Sequence, residues 1–594
     1  MRFWIWHYRS PIHRVIHTDV PATYPLLFLS RMKGRKLLKQ SIRLMLVVWL
    51  MVGCHSAQSE LTVMPVPPTD APIPSTTTNG NILDVMVPML DGVRLATTIC
   101  LPQGHGPWPA LLIRTPYGRD ACEEHSDLTE TGIVAVTQDT RGRFDSEGED
   151  VGFFADREDG QATLDWIAAQ SWSNGRVATY GGSAMGIVQY LMAPGAPAAL
   201  RCQWVEMAAP DIYNYAVFQG GAYRYELTEL WLKDTNSTHL IEPFRAHHLN
   251  TSYWDPVQIT EDYGDVHVPA VHVGGWYDIF ARGTMDAFLG YQNQGGEGAV
   301  GQQYLIMGPW PHAAYTTEVG ELTFPNADEE EYNIWMWLEA CLLDESGDMS
   351  TVTAWPTVHY YTMGAVGEAN APGNEWHDAD QWPPEDVADV LVYLHPDNSL
   401  SIEPPGADGG GDTFTYDPAD PTPTLGGANL FIEAGAFDQR SIEARDDVVV
   451  YSSPLLDEPV EVTGDLRAQI WITTDMPDTD IVVRLTDVYP DGRSMLVADG
   501  IFRARYRNCP DFTCEEFLEP GEPVVLTVDL GPTSIAFNTG HRIRISITSS
   551  NAPRFSPNPN TGAMYLEEGA VGRIAHTTIL HRAGYPSMII LPVR

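Results

Sequence analysis

Beyond residue 53 the 594-residue chain contains a single lysine, Lys233. Positive charge is scarce throughout, with 35 Lys and Arg against 78 Asp and Glu and a formal net charge of −43. Residues 1–53 carry nine of those basic residues and one of the acidic ones, so the remainder stands at −51. A polyanion cannot gather phosphates through counterion release, which excludes nucleic acid as a partner and leaves small neutral or cationic molecules. Such a bias also suggests a well-solvated acidic surface suited to a salty or acidic habitat. Cysteine is sparse, seven in all, and no Cys/His cluster has ligand spacing, so no metal and no cofactor is expected. What the chain has in quantity is apolar residues, 44% of the total, enough for real cores, and a length that predicts three to four domains.

The N-terminus reads as an export signal. Arg31-Met-Lys-Gly-Arg-Lys-Leu-Leu-Lys39 is a basic region, and Leu44-Met-Leu-Val-Val-Trp-Leu-Met-Val52 is an apolar core too short to span a bilayer. Gly53-Cys54 then places a small residue before a cysteine, as in a bacterial lipoprotein signal, with Met51 where leucine is usual. Cys54 is the expected lipidation site and Met32 a candidate physiological start; an uncleaved anchor is the alternative. Membrane contact is expected only through that lipid, at the periplasmic or outer-membrane face. Residues 55–81, rich in Pro, Ser and Thr, read as a flexible tether. Six cysteines remain after Cys54, an even number that an oxidising compartment could pair, with Cys509 and Cys514 the most plausible loop.

The chemistry is concentrated in three short segments. Arg176-Val-Ala-Thr-Tyr-Gly-Gly-Ser-Ala-Met-Gly186 places Ser183 between a strand-like and a helix-like apolar run. Gly181 and Gly186 supply the bare backbone that a sharp strand-to-helix turn needs. Val271-His-Val-Gly-Gly-Trp-Tyr-Asp278 ends an alternating strand in glycines and a carboxylate; Tyr304-Leu-Ile-Met-Gly-Pro-Trp-Pro-His312 ends another in a loop with one histidine. Serine is a weak nucleophile until an imidazole takes its proton, and the imidazole needs a carboxylate to hold its tautomer. The order Ser183, Asp278, His312 is that of α/β-hydrolases. Taken singly, Asp278 could equally cap a following helix over 279–289, since Asp is a preferred N-cap.

These residues resemble the CocE/NonD (cocaine esterase-like) serine hydrolases, which are related to X-Pro dipeptidyl-peptidases and α-amino acid ester hydrolases. The resemblance runs from about Asn81 to Arg594. Besides the three segments above it rests on Val87-Pro-Met-Leu-Asp-Gly-Val-Arg-Leu-Ala96, Leu112-Ile-Arg-Thr-Pro-Tyr-Gly118 and Gln138-Asp-Thr-Arg-Gly-Arg-Phe-Asp-Ser-Glu-Gly148. Glu375-Trp-His-Asp-Ala-Asp-Gln-Trp-Pro-Pro384 and Asn558-Pro-Asn-Thr-Gly562 extend it. It implies Ser183 as nucleophile, His312 as base and then acid, and Asp278 as orienter. It also implies an oxyanion hole made by the Tyr117 hydroxyl and the Ala184 amide. Phe280 matches a family pocket aromatic and, with Trp276, Tyr277 and Met185, suggests an apolar acyl site. The family usually has tyrosine after the nucleophile, where Ala184 stands here, so that pocket should be roomier. Ala184-Met-Gly-Ile-Val188 and Ile279-Phe-Ala281 lack the carboxylates with which amino-acid ester hydrolases hold an ammonium group.

The expected fold is an α/β-hydrolase core over residues 82–192 and 267–374, a helical cap inserted over 193–266, and a C-terminal all-β sandwich over 375–594, which the resemblance makes a jelly roll. The expected reaction is hydrolysis of a small ester or amide through an acyl-serine. The alternatives are an X-Pro dipeptidyl-peptidase, whose ammonium clamp could draw on the cap acids Asp211, Glu226 and Glu229, and a non-catalytic surface-binding lipoprotein.

Overall fold

A computed structural model describes residues 76–79, 81–344, 349, 352–407, 409–566 and 569–594. The export segment, Cys54 and the tether up to residue 75 lie outside the described residues.

An eleven-stranded sheet carries the first half of the chain. In chain order its strands are β1 (Thr76–Asn79), β2 (Ile82–Pro88), β3 (Arg94–Cys100), β4 (Trp108–Thr115), β5 (Val134–Asp139), β6 (Ser173–Gly182), β7 (Leu200–Glu206), β8 (Ala270–Gly275), β9 (Gln303–Gly308), β10 (Val358–Gly364) and β11 (Glu375–Ala379). Pairing gives the spatial order 1-2-3-5-4-6-7-8-9-10-11, antiparallel at both ends and parallel from β5 to β10. The parallel strands are buried along almost their whole length because helices cover both faces, which is why Pro-Ala-Leu-Leu-Ile in β4 is a continuous apolar run. Helices α1 (Asp156–Ala168) and α2 (Ala184–Met192) pack on one face, and α2 buries Ile187, Val188 and Leu191 there.

Two boundaries differ from the sequence expectation. Leu200–Glu206, expected within the cap, is a central strand paired to both β6 and β8. Its buried Gln203 interrupts the apolar pattern that would have revealed it. Glu375–Ala379, expected to open the sandwich, is the antiparallel edge of the hydrolase sheet. The cap proper follows β7 and includes α3 (Tyr225–Asp234); α4 (Ala281–Gln294) then returns to the core.

The C-terminal region is a β-sandwich. One sheet runs Val449–Ser452, Arg542–Thr548, Asp480–Val488, Ser494–Arg503 in spatial order. The other is built on the long antiparallel pair Val460–Thr474 and Val524–Phe537. Alternate residues such as Ile470, Ile472, Ile481, Val483, Ile545 and Ile547 fill the space between them. Beside this apolar core lies a buried ionic one: Arg503 forks onto Asp480 at 2.8 and 2.9 Å, Arg505 meets Asp478 at 2.7 Å, and the Asn558 amide donates to both carboxylates. Met363 and Gly364 of β10 pair in parallel with Ile535 and Ala536, so the two regions share main-chain hydrogen bonds.

All six cysteines after Cys54 are paired, as Cys100–Cys122, Cys202–Cys341 and Cys509–Cys514.

Candidate active site

Parallel strands put their carboxyl ends on one edge of the sheet, and that edge is where the expected residues converge. Ser183 follows β6, Asp278 follows β8 and His312 follows β9, while Tyr117 follows β4.

Ser183 has φ 56° and ψ −128°, a conformation that costs a non-glycine residue about 1–3 kcal/mol and persists only where its surroundings enforce it. They do so here. Its amide donates to Glu206 O at 3.0 Å, and its carbonyl accepts from the Gly186 and Ile187 amides at 2.9 Å each. A Cβ on Gly181 would lie 2.6 Å from Met185 Cβ, and one on Gly186 would lie 2.6 Å from Ala208 Cβ, so both glycines are required by contact. Ala184 is the first residue of α2, and its amide is one of those that a helix N-terminus leaves without an intrahelical acceptor.

Asp278 is buried and has both carboxylate oxygens engaged. Oδ1 lies 2.5 Å from His312 Nδ1, and Oδ2 accepts the Phe280 amide at 3.1 Å. Helix α4 begins at Ala281, with Phe280 in the capping position, so the alternative role of Asp278 as a helix cap is not what the structure places there. The Phe280 ring meets the imidazole edge-on at 5.6 Å and 78°. His312 itself keeps 12% of its side chain exposed.

Three residues around this constellation were given no role by the sequence, although Phe144 lies within the Gln138–Gly148 motif. The buried Arg224 guanidinium donates to the Ile279 carbonyl at 3.0 Å, bracing the turn that carries Asp278; burial lowers its pKa to about 9. Trp231 on α3 donates its indole N–H to the Tyr117 hydroxyl oxygen at 3.0 Å. Phe144 lies against Gly118, immediately beyond Tyr117. Their partners are distant in the chain, so no local signal announces them.

Other expected roles look different in place. Trp276, expected in the acyl pocket, donates to the Tyr361 carbonyl at 2.7 Å and stacks on Trp382 at 5.4 Å within the core shared with the sandwich. Tyr277 reaches the Leu496 carbonyl of the sandwich at 2.7 Å. Met185, partly exposed on the first turn of α2, stands beside the nucleophile. The cap acids are occupied: Glu226 accepts the Leu430 and Phe431 amides, Glu229 pairs with Lys233 at 3.1 Å, and Asp211 accepts the Asn214 amide and side chain. Burial raises Asp211 to about 6. Among the described residues no His/Cys/Asp/Glu group could hold a metal ion.

Known proteins were compared with the chain. Residues 91–241 and 227–314 match the model of X-Pro dipeptidyl-peptidase (S15 family), and residues 350–590 match that of the X-Pro dipeptidyl-peptidase C-terminal non-catalytic domain. A cocaine esterase from Rhodococcus sp. (strain MB1 Bresler) is 31% identical over 581 residues, covering 86% of this chain and 98% of that protein. Among solved structures, an aminopeptidase from a marine sediment Thaumarchaeota archaeon is 25% identical with a TM-score of 0.75, covering 89% of this chain and all of that one. An α-amino acid ester hydrolase shares the fold at 24% identity and a TM-score of 0.73, covering 90% of this chain and 100% of the other.

Proposed function

Because the chain belongs to the CocE/NonD family of serine hydrolases, we propose that Ser183, His312 and Asp278 form its catalytic triad and that it hydrolyses small esters through an acyl-Ser183 intermediate. The observation that carries this reading is the Asp278–His312 hydrogen bond, held at the sheet edge that also presents the strained Ser183 turn. With Nδ1 committed to Asp278, Nε2 is the nitrogen left to take the serine proton. Ser183 Oγ attacks the carbonyl carbon, its proton passes to Nε2, and Asp278 stabilises the imidazolium without accepting that proton. The carbonyl oxygen becomes an oxyanion facing the Tyr117 O–H and the Ala184 N–H, each such donor being worth about 2.7–4 kcal/mol. Trp231 donates its indole hydrogen to the phenol oxygen and so helps to position that hydroxyl. As the tetrahedral centre collapses, the leaving alcohol takes the proton from Nε2. Water then attacks the acyl-enzyme under the same base, and Ser183 departs as a hydroxyl.

Removal of X-Pro dipeptides is the second reading, favoured by the two family models. It requires a carboxylate or amide free to hold a terminal ammonium, and Asp211, Glu226 and Glu229 already serve backbone and side-chain partners. Turnover of short-chain p-nitrophenyl esters against Ala-Pro-p-nitroanilide, with Ser183→Ala as control, separates the two. Ser183-dependent ester turnover without anilide cleavage is expected. Faster Ser183-dependent cleavage of the anilide would overturn the preference for esters.

Export and lipidation at Cys54 belong to the same proposal. Three cystines in one chain suit an oxidising compartment better than the cytosol. Intact mass of the membrane-extracted protein should show a diacylglyceryl modification lost in Cys54→Ala; an unmodified wild-type mass would refute it.

A further inference from the structure

Among the described residues, eleven non-glycine residues have positive φ, and six are asparagine, which tolerates that backbone through its short polar side chain. The other five are Phe144, Ser183, Met207, Tyr315 and Phe512. Four of them sit in the loops at the carboxyl edge of the parallel strands: Phe144 after β5, Ser183 after β6, Met207 after β7 and Tyr315 after β9. Met207 is buried, and Tyr315 packs on Trp310 at 4.8 Å. Phe144 alone of the four is open, 64% exposed at φ 46°.

A solitary exposed phenylalanine is ordinary; one held in a backbone that glycine or asparagine would adopt more cheaply is not. The frame around it is over-determined. Arg143, just before it, donates to the Pro116 carbonyl at 3.2 Å and to Ser237 of the cap at 2.8 Å. Asp145, just after it, pairs with Arg119 at 3.0 Å and donates its amide to Asp139. These two bonds join the residues flanking Phe144 to the loop from Pro116 to Arg119, and the ring between them lies against that loop. A Cβ on Gly118 would come within 3.1 Å of the Phe144 ring, which shows how closely it does. The Arg143 guanidinium also stands over the ring, 5.9 Å from its centroid. What remains uncovered is an aromatic surface seated beside Gly118, the residue that follows Tyr117.

We propose that Phe144 is a specificity-determining residue, an aromatic rim over the oxyanion loop that takes an apolar group of the substrate bound at Ser183. This rests on the serine hydrolase reading above and adds the substrate class, an ester or amide with an aromatic or bulky aliphatic substituent on its acyl or its alcohol side. The ring's seating against Gly118 and under Arg143 limits the freedom it can lose on binding.

The test compares wild type with Phe144→Gly, which suits φ 46° and so should not lower the Tm, and with Phe144→Trp. Rates are read for ethyl acetate, benzyl acetate and ethyl phenylacetate. As an independent readout, Ser183 inactivation by phenylmethanesulfonyl fluoride is compared with that by methanesulfonyl fluoride. We expect Phe144→Gly to lower at least one aromatic-to-small ratio of kcat/KM or inactivation rate by about tenfold, as one lost ring contact would. Phe144→Trp should restore that ratio. Equal losses on all substrates with a falling Tm would make Phe144 a packing residue and overturn the proposal, as would unchanged ratios. If Ser183→Ala retained full turnover and neither sulfonyl fluoride reacted at Ser183, the nucleophile assignment would fail, and this proposal with it.

Discussion

The hydrolase edge and the sandwich interior spend conformational energy in opposite ways. At the edge, backbone is held in left-handed conformations at Phe144, Ser183, Met207 and Tyr315, with reactive groups left partly open. In the sandwich the distinctive feature is buried charge, with Arg503, Asp480, Arg505 and Asp478 fully enclosed and bonded in pairs. Strain at the edge does nothing for stability and is tolerated because the surrounding sheet is secure. Buried ion pairs add little net stability over apolar packing, but they penalise any arrangement that separates them. The Arg503 amide also donates to Gly220 O of the cap at 2.8 Å, so the ionic cluster fixes where the sandwich meets the cap.

That contrast predicts separable failures. Arg503→Met strands the Asp480 carboxylate in the interior and should cost about 3–5 kcal/mol of stability, read by denaturant titration, while kcat of the surviving folded fraction stays near wild type. A kcat that fell with stability would mean the two regions are not independent. Tyr117→Phe removes an oxyanion donor and should lower kcat by about 10²–10³ with the Tm within a degree or two of wild type. Retained activity would remove Tyr117 from the oxyanion hole. Smaller again, Trp231→Phe deletes only the indole donor that orients that phenol. A loss of about tenfold, one hydrogen bond's worth, should fall on kcat rather than KM; a change in KM alone would make Trp231 a pocket wall.

The divide also marks what the sequence could express. Ser183 was legible because a turn that sharp demands Gly181 and Gly186 at fixed offsets, and Asp278 and His312 because strand ends in a parallel sheet carry Gly-rich loops. The sandwich strand Arg542–Thr548 alternates isoleucine with polar residues, Arg-Ile-Arg-Ile-Ser-Ile-Thr, the period a strand writes into sequence. Leu200–Glu206 was not, since a strand buried on both faces has no alternation and its Gln203 broke the apolar run. Trp276 could be read either way, because an aromatic beside a catalytic motif looks the same in sequence whether it lines a pocket or fills a core; its partners here, Tyr361 and Trp382, are core residues. Arg224, Trp231 and Phe144 act through Ile279, Tyr117 and Gly118, partners 55, 114 and 26 positions away for which no local periodicity exists.

The pairing of Met363 and Gly364 with Ile535 and Ala536 carries one more implication. A strand that serves two layers at once works as a weld, and further ties run from Tyr277 to Leu496 and from Glu226 to Leu430. The C-terminal half is therefore not a module that can be cut away or exchanged like a bead on a string. A chain ended before residue 430 would expose an open sheet edge and leave the Tyr277 hydroxyl and the Glu226 carboxylate without those partners, and an engineer seeking a smaller enzyme from this scaffold would have to rebuild that seam first.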